Sequence, residues 1–593
     1  MLGIVAPLAA QFSPESPGQA AVKRAIPLMQ SSARTWTDRA GCISCHHQIL
    51  GSTALSVASE RGFDVDAMKV RYQIQTVVES RSKPILRMYE GQGAIGQQGF
   101  IYTLFGLGAV NRPECELSDA IVRFIELGQA ADGGWIQVSH RQPLEDARES
   151  VTAFAIRDLS LYGGPDAREN IAKGTRWLIN RKPQHMEGRS MRLLGLVWAG
   201  APGKTIDAAA NDVVMQQEAD GGWAQLPGMQ SDSYATGQAV VSLRLAGYNV
   251  SDSRLKRAIK FLIDTQEPDG SWHVTTRRKT PGLPYFESGF PHGIDQFISY
   301  AGTSWAVTAI AMDQSAELPS TLVRTSIPKS SPRTPKFAES PSQNKLFVAI
   351  AHNSVPEVKA ALAAGADANG KNLQGSTPLH WAVCNYDMAK ALLDAGASLD
   401  SVSTSGRTPL HAAALFGSAK TVKLLLDHGA KVTVLSKDGN TPLIDALQSF
   451  DMDKVDLLLS HGADPNAKGD SLAPLSLTIW VENTNATKKL LGVGADANAA
   501  TPLIDAVEGL NENALALLLS KGADPNLMGP EKIAPIHIAA MVYAGHDRFA
   551  AQLLKAGADP NVKDPDGHTA LELARIHGNK PVETLLVKAL ATH

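Results

Sequence analysis

Residues 408–430 read Thr-Pro-Leu-His-Ala-Ala-Ala-Leu-Phe-Gly-Ser-Ala-Lys-Thr-Val-Lys-Leu-Leu-Leu-Asp-His-Gly-Ala, and the same design recurs along the C-terminal part of the chain. Thr-Pro-Leu-His stands at Thr377 and Thr408, Thr-Pro-Leu-Ile at Thr441, and degenerate copies at Ala473, Thr501, Ala534 and Thr569, in steps of 28 to 35 residues. A Gly-Ala pair precedes each copy, at Gly365, Gly396, Gly429, Gly462, Gly494, Gly522 and Gly557. Each residue has a physical task. Thr offers a hydroxyl to cap a helix, Pro suits the first helical turn, Leu faces the neighbouring repeat, and Gly ends the second helix in the left-handed conformation. The pattern predicts a solenoid of about seven turn-linked helix pairs over residues 345–593.

These motifs resemble ankyrin repeats, and the resemblance implies a protein partner held on a concave face. Bulky residues near the ends of the first helices are the candidate contacts: Tyr386, Phe416, Trp480 and Met541. The alternative for all four is packing between repeats. The Thr-Pro-Leu-His histidines, His380, His411 and His537, read as structural, each ring bonding its local turn. Gly-to-Thr spacing is 12 in most copies but 7 between Gly494 and Thr501, so the turn finger is largely deleted there.

Working outward, residues 317–344 carry Pro319, Pro328, Pro332, Pro335 and Pro341 among Ser, Thr, Lys and Arg, which reads as a linker. Before it a looser repeat appears. Helical, small-residue-rich segments begin near Gln48, Gln98, Ser150, Gly188, Tyr234 and Gly302, and other helices end in Gln129-Ala-Ala-Asp-Gly-Gly-Trp135, Gln217-Glu-Ala-Asp-Gly-Gly-Trp223 and Gln266-Glu-Pro-Asp-Gly-Ser-Trp272. The Gln–Trp spacing is similar to that of the squalene-cyclase and prenyltransferase repeat families. That resemblance implies an all-α fold, an (α/α)6 toroid over residues 27–316 followed by the ankyrin solenoid, with Trp135, Trp223 and Trp272 structural. It does not carry the cyclase chemistry: no Asp-x-Asp-Asp run exists, Asp64-Val-Asp66 being the nearest, and Cys115 lacks the Asp and His partners of a prenyltransferase zinc site.

The chemistry-bearing stretch is Gly41-Cys-Ile-Ser-Cys-His-His-Gln48. It contains C-x-x-C-H, in which two thiols can add to the vinyl groups of one porphyrin and the adjacent imidazole can ligate iron. Cys42 and Cys45 are the expected attachment points for haem c, His46 the proximal ligand, and His292 or His47 the distal one. The open alternatives are a redox-active cysteine pair, a zinc site using Cys42, Cys45 and His47 with an outside ligand, or two buried thiols. His292 comes from Phe286-Glu-Ser-Gly-Phe-Pro-His-Gly-Ile-Asp-Gln296, just ahead of the last inner helix, which ring closure makes a neighbour of the first. Polar residues at the equivalent helix starts should line the cavity rim: Gln98, Glu149, Glu187, Asp232 and Tyr234, with Glu287 and Asp295.

Composition narrows the class. The 593 residues exceed one domain, and 44% hydrophobic with 19% charged residues is a globular balance. A net charge of −3 gives no electrostatic reason to bind nucleic acid. No apolar stretch is long enough to span a bilayer, while Met1-Leu-Gly-Ile-Val-Ala-Pro-Leu-Ala-Ala-Gln11 resembles the end of a secretory signal, within a segment 1–26 expected to lie outside the fold. Export to a periplasm or beyond is the expectation. Three readings stand: an exported haem-bearing toroid joined to a protein-binding array, an enzyme acting on an apolar or isoprenoid substrate in the toroid cavity, and a cofactor-free scaffold.

Overall fold

The computed structural model describes residues 15–591 except 41–44, 84, 86, 87, 89–95, 137–146, 166, 278–286, 330–335, 468–472 and 542–546, and gives the backbone alone for 37, 39, 40, 45–47, 96 and 97. All of its regular structure is helical. Two core clusters divide the chain near residue 330.

In the first, helices alternate between an inner and an outer layer. The outer ones are Pro17–Ala40, Ala67–Ser82, Glu116–Leu127, Ala167–Asn180, Gly203–Val214 and Ser253–Asp264; the inner ones are Gly51–Glu60, Gly96–Ala109, Arg148–Tyr162, Met186–Trp198, Ser233–Leu245 and Gln296–Asp313. Each inner helix packs on the next, and the sixth packs back on the first, so the ring closes. With one outer helix between successive inner ones, all six inner helices start at the same end, called the mouth here.

The Gln–Trp turns do the stitching. Trp135, Trp223 and Trp272 are buried, and each indole N–H donates to a carbonyl of the preceding outer helix, at Ile125 (2.8 Å), Val213 (2.8 Å) and Leu262 (2.6 Å). Each Gln side chain reaches the next outer helix, bonding the carbonyls of Asn170 (2.8 Å), Arg254 (2.9 Å) and, closing the ring, Ala21 (2.9 Å). The glycine between them is obligatory: Gly270 has φ +91°, and a Cβ there would lie 2.5 Å from the Arg24 carbonyl oxygen.

The ring starts earlier than residue 27. Ala21, Val22, Ala25 and Ile26 are buried on the helix Pro17–Ala40, and Pro27, which reads as a boundary, is carried inside it. The proline-rich connection also belongs to the ring for much of its length. Leu322 and Ile327 join the ring core, Glu60 accepts from Ser320 and Thr321, and the Pro328 carbonyl accepts from Glu114 N–H (3.1 Å). Prolines remove donors without preventing docking.

The C-terminal array has eight helix pairs among the described residues. The extra pair, Pro341–Ala351 and Val355–Ala363, carries Ser340-Pro-Ser-Gln343 where the other repeats carry Thr-Pro-Leu-His, which hid it from the motif. Gly429, like its equivalents, takes positive φ (+92°) at the second helix end. Where the finger is shortened, Ala500 and Thr501 are both left-handed (φ +58°), and Thr501 makes no side-chain cap. The five missing residues are thus replaced by local backbone strain.

Candidate functional sites: ring mouth, ring interior and the ring–array junction

The histidines of the array are structural in geometry. Thr408 N–H donates to His411 Nδ1 (3.1 Å), and Nε2 donates to the Asn440 carbonyl (3.0 Å); His380 repeats this with Thr377 (3.2 Å) and Arg407 (2.9 Å), and His537 with Ala534 (3.1 Å) and Val562 (3.0 Å). Each ring joins its repeat to the next finger. Of the four proposed contact residues, Met541 is buried in the array core, and Trp480 is half-buried with its indole donating to Asp505 (3.0 Å) of the next repeat. Inter-repeat packing accounts for both. Tyr386 is 39% exposed and Phe416 half-buried, so these two remain at the surface.

The C-x-x-C-H turn is only partly described. Cys42 lies outside the described residues, and for Cys45, His46 and His47 only the backbone is described, as the start of a π-helix Cys45–Leu50 that runs into the first inner helix. This π-turn packs against the sixth inner helix and the second. His292 sits at the start of the sixth, in a left-handed turn (φ +82°), with its Nε2 2.7 Å from Ser271 Oγ and its ring stacked on His273 at 4.6 Å between centroids. His273 Nε2 meets Asp295 Oδ2 (2.9 Å), whose other oxygen accepts from Thr276 N–H (2.8 Å). Burial and then the neighbouring His273 push the His292 pKa down. Glu287 is exposed, its carboxylate bonded to Gly289 N–H (2.9 Å). The sequence singled out His292 and Asp295; it missed Ser271 and His273, although His273 directly follows a Gln–Trp motif.

The other rim residues divide by direction. Asp232 caps the fifth inner helix through Ala235 N–H (2.9 Å) and accepts from Gln225 (2.7 Å); burial pushes its pKa up to about 6. Glu187 meets Ser150 Oγ (2.6 Å) within the ring, and Gln98 and Tyr234 are buried. Glu149 instead turns outward to Arg181 (2.7 Å). Asp66 is simply a helix cap for Met68 and Lys69.

Below the mouth the described side chains form a floor. Leu50, Thr53, Phe105, Leu194, Trp198, Val241, Ser304, Trp305, Thr308 and Leu322 enclose a void of about 10 Å³, room for about one water molecule. Phe154 completes this floor, 4.5 Å from Phe105 between centroids. Leu322 plugs it from the connecting segment, and its carbonyl accepts from the Trp198 indole (3.1 Å).

The ring and array are docked on each other. Ala131 N–H donates to the Ser449 carbonyl (2.9 Å), and Ala130 and Ile136 of the ring join the core of the array. The Arg148 guanidinium lies 4.2 Å over the Phe450 ring and 4.9 Å over Trp177, and grips Asp132 at 2.9 and 3.0 Å. Burial pushes the Asp132 carboxyl up, but Arg148 outweighs it and holds the pKa below the usual range. Arg181 spans from Glu149 to Glu482 of the array (3.6 Å). Phe450 (φ +58°) and Glu482 (φ +56°) occupy the same left-handed turn between the helices of their repeats, where Gly578 stands in the last repeat.

This geometry is that of a closed helical ring fused to a helical-repeat solenoid. A family description of ankyrin repeats in three copies matches residues 332–402 and 396–469, and that of a single ankyrin repeat matches 533–565, so the C-terminal array is built of ankyrin repeats. Among curated proteins nothing matches the chain. No described helix is long and apolar enough to cross a membrane.

Proposed function

We propose that the chain is an exported protein-binding scaffold. In this reading its ankyrin array holds a partner protein, and the ring docked on that array carries a c-type haem bound through Cys42 and Cys45, with His46 as proximal ligand. The ankyrin match supports the first part, since such arrays present their helices and fingers to other proteins. The second rests on the C-x-x-C-H sequence: Cys45 opens a helical turn at the ring mouth, His46 and His47 follow on that turn, and the sixth inner helix, which begins four residues after His292, packs beside it. Bound haem supplies one-electron exchange or ligand binding at iron. The residues of the chain hold and orient it. His292 would serve as distal ligand only by releasing Nε2 from Ser271, so His47 is the competing candidate. The closed floor of the ring weighs against the enzyme reading, because a void of about 10 Å³ does not admit a prenyl chain below the level of Leu194.

Mass spectrometry of the full chain made in a haem-attaching periplasm tests the haem. The expected mass is protein plus one haem, lost when Cys42 and Cys45 are both replaced by Ala, with His292→Ala shifting the spectrum while the haem stays attached. An apoprotein mass with stoichiometric zinc moves the cysteine pair to a metal site. An apoprotein mass without metal leaves a cofactor-free scaffold.

A further inference from the structure

At the mouth end of the ring, the fourth and fifth outer helices leave a cleft of about 540 Å³ between their ends. Its wall is the turn from Ile179 to Gln184, with Arg189 and Arg192 from the first turns of the inner helix Met186–Trp198 and Asp212 from the outer helix Gly203–Val214. Four cations, Arg181, Lys182, Arg189 and Arg192, thus line it with one carboxylate. None of them belongs to the cysteine turn or to the floor inside the ring.

The protein answers only part of that charge. Arg181 is held by Glu149 (2.7 Å) and Glu482 (3.6 Å), and Arg189 reaches Asp212 through Nε (3.3 Å). Arg192 spends Nε and Nη2 on the carbonyls of Leu178 (2.8 Å) and Ile179 (3.2 Å), and no described carboxylate bonds it. Burial pulls its pKa below the ordinary guanidinium value, against Asp212 and Glu149, which raise it. Lys182 is exposed and pairs with no described carboxylate. Arg189 and Arg192 stand three apart on one helix, hence side by side on one face, where like charges repel. Asp212 alone does not balance the two. The terminal nitrogens of Arg189, Nη1 of Arg192 and the Lys182 ammonium are left as donors without a described acceptor.

Their chemistry selects the ligand. Planar forks of N–H donors match an oxyanion, and a phosphomonoester brings three acceptor oxygens and a charge of about −1.5 to −2, where a carboxylate brings two oxygens and a single charge. The volume is that of a small-molecule site rather than of a bare ion, and Ile179, 37% exposed, gives the rest of a ligand an apolar edge.

We propose that this cleft binds the phosphate group of a small organic phosphomonoester, with Lys182, Arg189 and Arg192 as its cationic contacts. The site stands apart from the haem and from the partner surface of the array.

The test uses the full chain at constant ionic strength, with glycerol phosphate as probe and glycerol and succinate as controls, read by calorimetric titration and phosphorus NMR. Saturable binding of glycerol phosphate, none of glycerol and weaker binding of succinate are the expected result, since succinate matches the charge but not the grouping of the oxygens. Replacing Lys182 and Arg189 together, Lys182→Gln with Arg189→Gln, should weaken glycerol phosphate binding by about tenfold or more through lost charge-assisted hydrogen bonds. Melting should stay near that of the parent, because one side chain is exposed and the other forms only a partly exposed ion pair. If the double variant melts low, Lys182→Gln alone makes the same test, and Lys182→Arg should keep the affinity. Absence of saturable glycerol phosphate binding overturns the proposal. So does an affinity unchanged in both Gln variants, or succinate binding as tight as that of the phosphate.

Discussion

At His380 both ring nitrogens are engaged: Nδ1 accepts from Thr377 N–H and Nε2 donates to the Arg407 carbonyl, an arrangement only the neutral imidazole satisfies. Burial, ahead of nearby charges, pushes its pKa down to about 4, and burial lowers those of His411 and His537 too. These rings therefore hold fewer protons in the folded array than in the unfolded chain between pH 4 and about 6.5, whereas burial raises the carboxyls of Asp445 and Asp505, the latter to about 6, and acts in the opposite direction. The histidine contribution to stability is full above that window and is lost as pH drops through it, on the order of 2–3 kcal/mol for a histidine like His380. Urea unfolding of the array from pH 7 to 4.5 should show His380→Gln weaker than the parent at pH 7, with the gap between the two midpoints closing as pH falls. A gap constant over that range would mean that this ring titrates normally and does not lock its finger. The same residues show why a Thr-Pro-Leu-His histidine is a poor ligand candidate, since no lone pair is left for a metal.

At the level of elements, the Gln–Trp turn divides its labour between packing and stitching. Trp272→Ala empties a large buried volume and should cost about 3–5 kcal/mol. Gln266→Ala removes the bonds to the Ala21 and Gly270 carbonyls and the one accepted from Arg24, and should cost about 1–3 kcal/mol, at the one seam where the last outer helix meets the first. Hydrogen exchange should then quicken first in the helix Pro17–Ala40. A Trp272→Ala protein that melted like the parent but lost a ligand or an activity would make the motif a site. Both repeat systems were legible because each rests on a local spacing: Gln and Trp six apart bind one turn, and Thr-Pro-Leu-His caps its own helix. The helix pair 341–363 was not, because its Ser-Pro-Ser-Gln start lacks the signature, and the ring was begun at residue 27 because residues 1–26 read as a segment outside the fold. At the ring mouth, His292 and Asp295 stand in one dense polar run, whereas Ser271 and His273 join them only because the fold brings the third Gln–Trp turn beside that run, which no sequence spacing reveals.

On the scale of the whole molecule, the ring and array meet through residues that neither periodicity marks, Arg148 and Arg181 on one side and Phe450 and Glu482 on the other. Phe450 is the telling one. A bulky side chain in the left-handed region costs about 1 kcal/mol or more, and Gly578 fills the equivalent turn of the last repeat without that strain. Phe450 packs on the array core, and the Arg148 guanidinium lies 4.2 Å above its ring, a contact that exists only when ring and array are joined. Residues 336–593 expressed alone should fold, because repeat arrays are stabilised by neighbouring repeats and Phe337, packed on Trp381, closes their first end. Phe450→Gly should then act differently in two settings. In the isolated array it relieves backbone strain while losing packing on the array core, and should change the melting temperature little. In the full chain it removes the contact with Arg148, and ring and array should separate into two unfolding transitions where the parent shows one. If Phe450→Gly lowers both proteins equally, the residue serves only its own repeat, and the junction is held by the Ala131–Ser449 backbone bond and the apolar contacts of Ala130 and Ile136.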